Sequence, residues 1–460
     1  MHRKILRLAL PNIISNITVP LLGLVDLAVV GHLEGVWFIG AVALGGTIFN
    51  FVYWSFGFLR MSTSGLAAQH YGAGDDKGAR EVLQRALLTA LTAATLILLL
   101  QVPIERISFY LLDGSEKTEH FASRYFYIRV WAAPATLMLY ALNGWFLGMQ
   151  NARYPMIITL VINLLNILFD LLFVLGLHMN SDGVALGTLL ANYAGLAVAL
   201  WLLHHRYPGV FRLLPLQHLL NPAPLKAFFR INLDIFLRTL CLILVFTFFT
   251  ARSAAHGDIL LAVNTLLLQF FTFFAFFLDG FAYAAEALTG RYIGARDLSR
   301  LRYVVRLLFL WGLLLSIPFS LAYLIGAGPI LSLLTDNREV LEAARPYYPW
   351  AVLIPLISFP AFLWDGIYIG ATSSAGMRNT MIFSTLVIFF PTWALTREPL
   401  GNHSLWLALV LFLISRGVTM GLLAKRYIFT FSNANHDAHH QRDRDRGTDR
   451  AGTGSRQLSQ

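Results

Sequence analysis

The sequence predicts an all-α integral membrane protein with twelve transmembrane helices, arranged as two pseudo-symmetric six-helix lobes around a central cavity. Three observations predict this class: charge is scarce, long apolar runs recur, and the second half repeats the first. Only 13% of the 460 residues are charged and 57% are hydrophobic, whereas a soluble protein usually carries about 25% charged residues. The mean hydropathy of +0.62 agrees. Lipid is therefore the expected solvent for most of the chain.

Apolar runs long enough to cross a bilayer follow one another along almost the whole sequence. Several exceed the roughly 20 residues that a span needs, so tilted or kinked helices are expected. The first run is too long for a cleaved signal peptide and lacks a small-x-small cleavage site. The predicted spans are 5–31, 38–69, 82–104, 120–148, 154–177, 184–204, 227–251, 258–290, 302–326, 341–370, 379–396 and 403–424.

Charges outside the spans predict the orientation. If the N-terminus is inside, the inner connections carry many more Lys and Arg than the outer ones, and the positive-inside rule then places both termini in the cytoplasm. The net charge of +10 lies largely in ends and loops, so it indicates contact with membrane lipids and no nucleic-acid partner. The single cysteine, Cys241, excludes an internal disulfide.

The two halves of the chain repeat each other at one constant shift. "LLDGSEKTEHFASRYF" (111–126) lies over "LLTDNREVLEAARPYY" (333–348), and at the same shift "GAGD" meets "GARD" and "NGWFLG" meets "DGIYIG". A repeat of six helices, an even number, gives parallel copies rather than inverted ones. The predicted domains are an N-terminal lobe, a cytoplasmic linker rich in Pro and Arg, a C-terminal lobe and a disordered tail, over residues 1–204, 205–226, 227–430 and 431–460.

The tail has no apolar period and alternates in charge, which is typical of disorder. Its histidines His436, His439 and His440 could bind a metal, but a solvated tail is the favoured interpretation. No HExxH, GxSxG, Walker or CxxC motif occurs in the sequence, so we expect no enzyme activity and no cofactor. Without a nucleotide site, uphill transport must use an ion gradient.

Buried carboxylates are the candidate ion carriers. Asp26 and Asp170 both lie within spans, where a charge costs at least about 2.5 kcal/mol and normally faces a cavity or a partner. Asn163, Asn166 and Asp170 share one helical face. Two carboxylates in one low-dielectric pocket cannot easily both stay ionised, so the pair could take up H⁺. The same oxygens could hold Na⁺ instead, or each carboxylate could simply hydrogen-bond a neighbouring helix.

At these residues the chain resembles the multidrug and toxic compound extrusion family, in particular its branch named for the DNA-damage-inducible protein F. The resemblance covers about residues 1–430 and rests on these stretches: "PNIISNITVPLLGLVDLAVVGHL", "AAQHYGAGD", "LNGWFLGMQNARYPM" and "FLWDGIYIGAT". It implies a cation-coupled exporter in the bacterial inner (cytoplasmic) membrane, with H⁺ favoured and Na⁺ possible. Carried over by motif, the coupling residues are Asp26, Asn166, Asp170 and Thr188, with Asn163 beside them.

Acidic residues of the second half are alternative coupling candidates. Asp365 replaces Asn143 at the repeat position, and Asp234 falls where Asn12 would. Other branches of the family use acidic residues on helices 7 and 10. Glu286 lies on the eighth span, two turns after Asp279. A packing or gating role for these two residues agrees with their position at least as well as a coupling role does.

Two functions are consistent with these sequence features. The favoured one is a monomeric secondary antiporter that exports small amphipathic organic compounds, often cationic, by alternating access. The alternative is a flippase of a lipid or lipid-linked precursor, which should place several Arg or Lys inside its cavity. Arg60 and Arg238 are the clearest candidates among mid-span residues, and so few cations favour the exporter. The Phe-rich run 269–281 could line a drug cavity or simply face lipid.

Overall fold

The computed structural model describes residues 1–31, 33, 35–112, 114–212, 214–219 and 221–430, and these form helices and no strand. The predicted tail and its three histidines lie outside the described residues. Within them, twelve helical segments are long and apolar enough to cross a membrane, as predicted. We label these α1 to α12: His2–Gly31, Trp37–Ala73, Asp76–Leu99, Glu116–Gly148, Arg153–Gly176, Ser181–Arg206, Leu225–Ala255, Asp258–Gly294, Leu298–Leu334, Arg338–Gly370, Ser374–Leu400 and His403–Tyr427.

Two spans differ from the predicted pattern. The α2 span consists of two helices, Val36–Ser55 and Phe58–Ala73, separated at Phe56 and Gly57. The α9 helix continues to Leu334, past the predicted end at 326, and both Pro318 and Pro329 lie inside it. Transmembrane helices tolerate such prolines.

Equivalent contacts in the two halves confirm the repeat. Asp75 caps the start of α3 by accepting a hydrogen bond from the N–H of Gly78 (2.9 Å), and Asp297 caps α9 in the same way with Arg300 (2.9 Å). A second equivalence concerns close helix packing: Gly144 lies against the backbone of Arg60, and Gly366 lies against that of Ala282. The α1–α6 half, the N-lobe, and the α7–α12 half, the C-lobe, therefore share one architecture. Their exact boundaries stay a prediction.

The two lobes touch at the end of the bundle that holds the N-terminus. A Cβ added to Gly72 on α2 would lie 1.9 Å from the carbonyl oxygen of Arg291 on α8. Gly294 on α8 has the reciprocal relation, 1.9 Å, to the carbonyl of Gln69. Only glycine allows backbones to approach this closely. Side chains add to the contact, since Gln69 also donates to the carbonyl of Gly370 at 3.0 Å.

Candidate functional site

The N-lobe brings Asp26 and Asp170 together. Asp26 comes from α1 and Asp170 from α5, and their carboxyl groups lie within hydrogen-bonding reach of each other. Asp170 is fully buried. Asp26 Oδ1 and Asp170 Oδ2 are both buried and have no hydrogen-bond partner in the part of the chain that the structure describes. The two carboxylates predicted from the sequence are therefore neighbours, with acceptor capacity left unused.

Amide and hydroxyl groups surround this carboxyl pair as the helical spacing predicts. The Nδ2 of Asn166 lies 3.4 Å from Asp170 Oδ1 and 3.3 Å from the hydroxyl of Thr188 on α6. Asn192, one turn along α6, donates to the carbonyl of Thr188 at 2.8 Å. Asn163 lies one turn before Asn166, but its Nδ2 has no partner among the described residues.

Helix geometry makes room for Asp170. A Cβ on Gly187 would lie 2.3 Å from Asp170 Oδ1, so Gly187 allows α6 to pack directly over the carboxylate. Gly183, the other glycine of this G-x-x-x-G pattern, packs against Phe173 and Met179. The α5 helix changes to π geometry at Leu171–Gly176, immediately after Asp170. Such π segments are frequent at functional sites because they displace side chains from the regular helical position.

Arg129 on α4 is the member of this site that the sequence interpretation missed. Its guanidinium is close enough to interact electrostatically with Asp26 and Asp170. It also donates to the hydroxyl of Tyr125 and lies 5.1 Å from the ring centroid of Phe49. The cluster thus contains two carboxyl groups and one permanent cation. One negative charge has a nearby counter-charge, and the second carboxyl group needs a proton or another cation.

The polar residues at the start of α1 do not join this cluster. Asn12, Ser15 and Asn16 line a separate cavity of about 130 Å³. Arg60 and Asn143 line it too. The prolines of α1, Pro11 and Pro20, lie inside a continuous helix.

The acidic candidates of the C-lobe are held by arginines. Arg238 and Arg416 both donate to Asp365 Oδ2, the latter at 2.5 Å. Asp234 accepts from Arg378 and from the hydroxyl of Ser374 at 2.8 Å.

Glu286 pairs across the lobes with Arg60, with 3.4 Å between Oε2 and Nη1. The three alternative coupling residues therefore lie in three places: Asp234 near the end of the bundle that holds the N-terminus, Glu286 at the contact between lobes, and Asp365 inside the C-lobe.

A central cavity of about 400 Å³ connects several of these groups. It is lined mainly by α7, α8 and α10, with Trp54, Arg60 and Met61 contributed by α2. Three arginines and three acids face it: Arg60, Arg238, Arg416, Asp279, Glu286 and Asp365. The Phe-rich run 269–281 has one side towards the cavity and another away from it. Phe271 and Phe276 line the cavity, whereas Phe273 is half exposed. Arg416, like Arg129, was not anticipated from the sequence.

Among the residues that the structure describes, no group of three or more His, Cys, Asp or Glu side chains could hold a metal ion. A Na⁺ site made of two carboxylates with amide and hydroxyl oxygens falls outside that pattern. Asn166 Oδ1, like the free carboxyl oxygens beside it, is buried without a hydrogen-bond partner. The donor set of the N-lobe therefore fits a hard cation as well as a proton.

A multi-pass membrane protein built from two repeated halves around an internal cavity has the architecture of a transporter. Residues 11–172 and 235–393 each match the family model described as MatE. The chain therefore belongs to the MatE family, and the two matches fall one in each lobe.

Relatives with related names match over most of the chain. The DNA damage-inducible protein F of Escherichia coli (strain K12) is 42% identical over 424 residues, which cover 91% of each chain. The probable multidrug resistance protein NorM of Thermotoga maritima is 22% identical over 75% of each chain. The human multidrug and toxin extrusion protein 1 is 24% identical over 90% of this chain and 73% of its own.

Solved structures confirm the fold. The structure titled "Crystal structure of MATE in the bent conformation" superposes with a TM-score of 0.83 at 21% identity, over 93% of this chain and 95% of the other. The structure titled "Crystal structure of MATE in the straight conformation" gives the same TM-score and identity over 92% and 95%.

Proposed function

We propose that this MatE-family transporter is a cation-coupled antiporter that exports small amphipathic organic compounds by alternating access. The Asp26–Asp170 pair is the coupling site and H⁺ is the favoured ion. The observation that carries this proposal is that the carboxyl group of Asp26 lies within hydrogen-bonding reach of the fully buried Asp170, with Arg129 as the nearby cation among the described residues.

The charge balance of the pocket supports proton coupling. If both carboxyl groups were ionised beside one arginine, one negative charge would be uncompensated in a low-dielectric interior, which is costly. A proton shared by the pair removes that cost, and losing the proton restores it. The two protonation states therefore favour different packing of α1 against α5 and α6, which is the differential stabilisation that a coupled transporter requires.

Na⁺ is the alternative ion. The unpartnered oxygens of Asp26, Asp170 and Asn166 are hard ligands of the kind that Na⁺ takes. Use of one site by both ions would make H⁺ and Na⁺ competitors, because each would neutralise the same excess charge.

The flippase alternative gains one observation from the structure. Three arginines line the central cavity, one more than the sequence suggested. Each is ion-paired with a carboxylate, however: Arg60 with Glu286, and Arg238 and Arg416 with Asp365. A cavity whose cations are already paired fits a pyrophosphate headgroup less well than an open cluster of arginines would.

Transport in proteoliposomes tests these alternatives. A panel of amphipathic dyes and one fluorescent lipid analogue would be followed with an imposed pH gradient, with a Na⁺ gradient, and with neither. We expect dye export driven by the pH gradient and no gradient-dependent lipid movement. Export on a Na⁺ gradient alone, unaffected when the pH gradient is collapsed, would show that proton coupling is wrong.

Substitution of the pair tests the site. Asp26→Asn and Asp170→Asn should each abolish gradient-driven export, because the amide neither binds nor releases a proton at neutral pH, while membrane insertion is retained. Asp258→Asn is the matched control, since Asp258 is an exposed carboxylate at the start of α8. Full export by both variants would move the coupling role to Asp234, Glu286 or Asp365.

We also propose that both termini face the cytoplasm of a bacterial inner membrane and that the chain acts as a monomer. The charge asymmetry of the connections supports the orientation. Labelling of single cysteines placed in the connections, with a membrane-impermeant reagent in intact cells and in inside-out vesicles, would test the orientation.

A further inference from the structure

The α8 helix presents one continuous face to the central cavity. The residues of this face recur at spacings of three and four, as expected for one side of a helix: Leu268, Phe271, Thr272, Ala275, Phe276, Asp279, Ala282, Tyr283 and Glu286. Most of them are apolar or aromatic. Asp279 lies in the middle of this face, with Phe276 one turn before it and Tyr283 one turn after it.

Asp279 differs from the other acids of the cavity in its partners. Glu286 is paired with Arg60, and Asp365 with two arginines. Asp279 has no hydrogen bond or salt bridge within the described ranges of the chain; the guanidinium groups of Arg60 and Arg238 act on it only over a longer distance. It is therefore the cavity carboxylate that remains available to a ligand.

We propose that Asp279 binds the positively charged group of an amphipathic cation, in a site separate from the Asp26–Asp170 pair. The inference rests on the proposed export function and assigns substrate and proton to different carboxylates in different lobes. The aromatic surroundings suit such a ligand, because a cation is attracted to ring faces and a flat apolar body packs against Phe271 and Phe276. The cavity volume of about 400 Å³ is in the range of small-molecule sites.

The two sites do not share a cavity. Neither Asp26 nor Asp170 lines the central cavity. The pair does not line the smaller cavity of about 130 Å³ either, although Arg60 and Tyr283 line both cavities. A ligand held at Asp279 in the central cavity therefore contacts neither carboxyl group of the pair.

Equilibrium binding without any gradient tests the assignment. Ethidium binding to the purified protein in lipid nanodiscs would be measured by fluorescence anisotropy, together with an uncharged phenanthridine of the same ring system. Asp279→Asn should weaken ethidium binding at least about tenfold, the usual effect of losing a charged partner, and leave the uncharged probe unchanged. Asp26→Asn and Asp170→Asn act through the packing of the N-lobe, so each should change the affinities for ethidium and for the uncharged probe by the same factor. The control Asp258→Asn should bind both probes like the wild type.

Unchanged ethidium affinity in Asp279→Asn would overturn the assignment. A loss in Asp26→Asn and Asp170→Asn that is selective for ethidium over the uncharged probe, and equal to that of Asp279→Asn, would show instead that substrate and proton share one site. If Asp279→Asn does not fold, Asp279→Cys in a Cys241→Ser background can be modified with an anionic or a neutral thiosulfonate reagent. Only the anionic adduct should then bind ethidium tightly, and equal binding by both adducts would contradict the proposal. If the binding pattern holds while no ion gradient drives export, the proposed antiport fails and the binding site stands.

Discussion

The salt bridge between Arg60 and Glu286 joins the two lobes, and it should stabilise the state in which they touch at the end that holds the N-terminus. Arg60 lies on α2 and Glu286 on α8, with Glu286 1% and Arg60 17% exposed. Opening this end for alternating access must separate α2 from α8 and break the pair. We predict that Glu286→Gln shifts the equilibrium towards conformations that are open at this end.

The expected size of the shift follows from the geometry of the pair. Removing one partner of a buried salt bridge typically costs about 3–5 kcal/mol. The 3.4 Å separation and the partial exposure of Arg60 place this pair below that range, and glutamine retains an acceptor oxygen. A cost of about 2 kcal/mol is therefore reasonable, which corresponds to a roughly thirtyfold change in the conformational equilibrium.

Double electron–electron resonance would measure the shift. Spin labels at Lys77 and Arg302, both exposed and one in each lobe, report the separation of the lobes at this end in a Cys241→Ser background. Glu286→Gln should add a population at longer distance, and the exchanged pair Arg60→Glu/Glu286→Arg should reduce it again. A folded Glu286→Gln protein with the wild-type distance distribution would refute the reasoning.

Three further predictions concern packing, stability and helix bending. Gly72→Ala should open the same contact between the lobes in the spin-label assay, because its Cβ meets a backbone carbonyl, whereas Gly46→Ala, with nothing within 4 Å, should have no effect. Asn264→Ala should lower thermal stability by several degrees in a melting assay, since it removes four buried hydrogen bonds at 2.7–3.0 Å. Pro20 weakens the backbone hydrogen bonding of α1, so we predict that α1 bends with the charge of the carboxyl pair and that the distance between labels near Pro20 and Thr188 changes with pH. A constant distance would contradict this.

The proposed coupling cluster was largely predictable because most of its members follow helical periodicity. Asn166 and Asp170 are one turn apart, so any helix places them on one face, and Thr188 lies on the next span. Asp26 was a candidate because a carboxylate within a span normally faces a cavity or a partner, and the resemblance assigned it to the same site. The repeat was also visible, because equivalent motifs such as "GAGD" and "GARD" form the caps and glycine contacts of equivalent helices.

The arginines of both sites could not be predicted in the same way. Arg129 and Arg416 each stand alone in an apolar run, and periodicity within one helix says nothing about partners on other helices. Arg129 reaches the pair from α4, and Arg416 reaches Asp365 from α12. A single buried cation in a span does indicate a buried partner, but its identity depends on how helices from distant parts of the sequence pack together.

The divergence of the two lobes gives a physical reason for dividing ion and substrate between them. At the constant shift of the repeat, Phe248 takes the position of Asp26. Its ring packs edge to face against Phe389, Phe390 and Trp393 at centroid distances of 4.8–5.9 Å. The C-lobe therefore fills with aromatic rings the place where the N-lobe keeps its carboxylate. A carboxyl pair like that of the N-lobe cannot form there. Under the proposed function, this leaves Asp279, the cavity acid without an ion pair among the described residues, to contact substrate while the N-lobe responds to the ion.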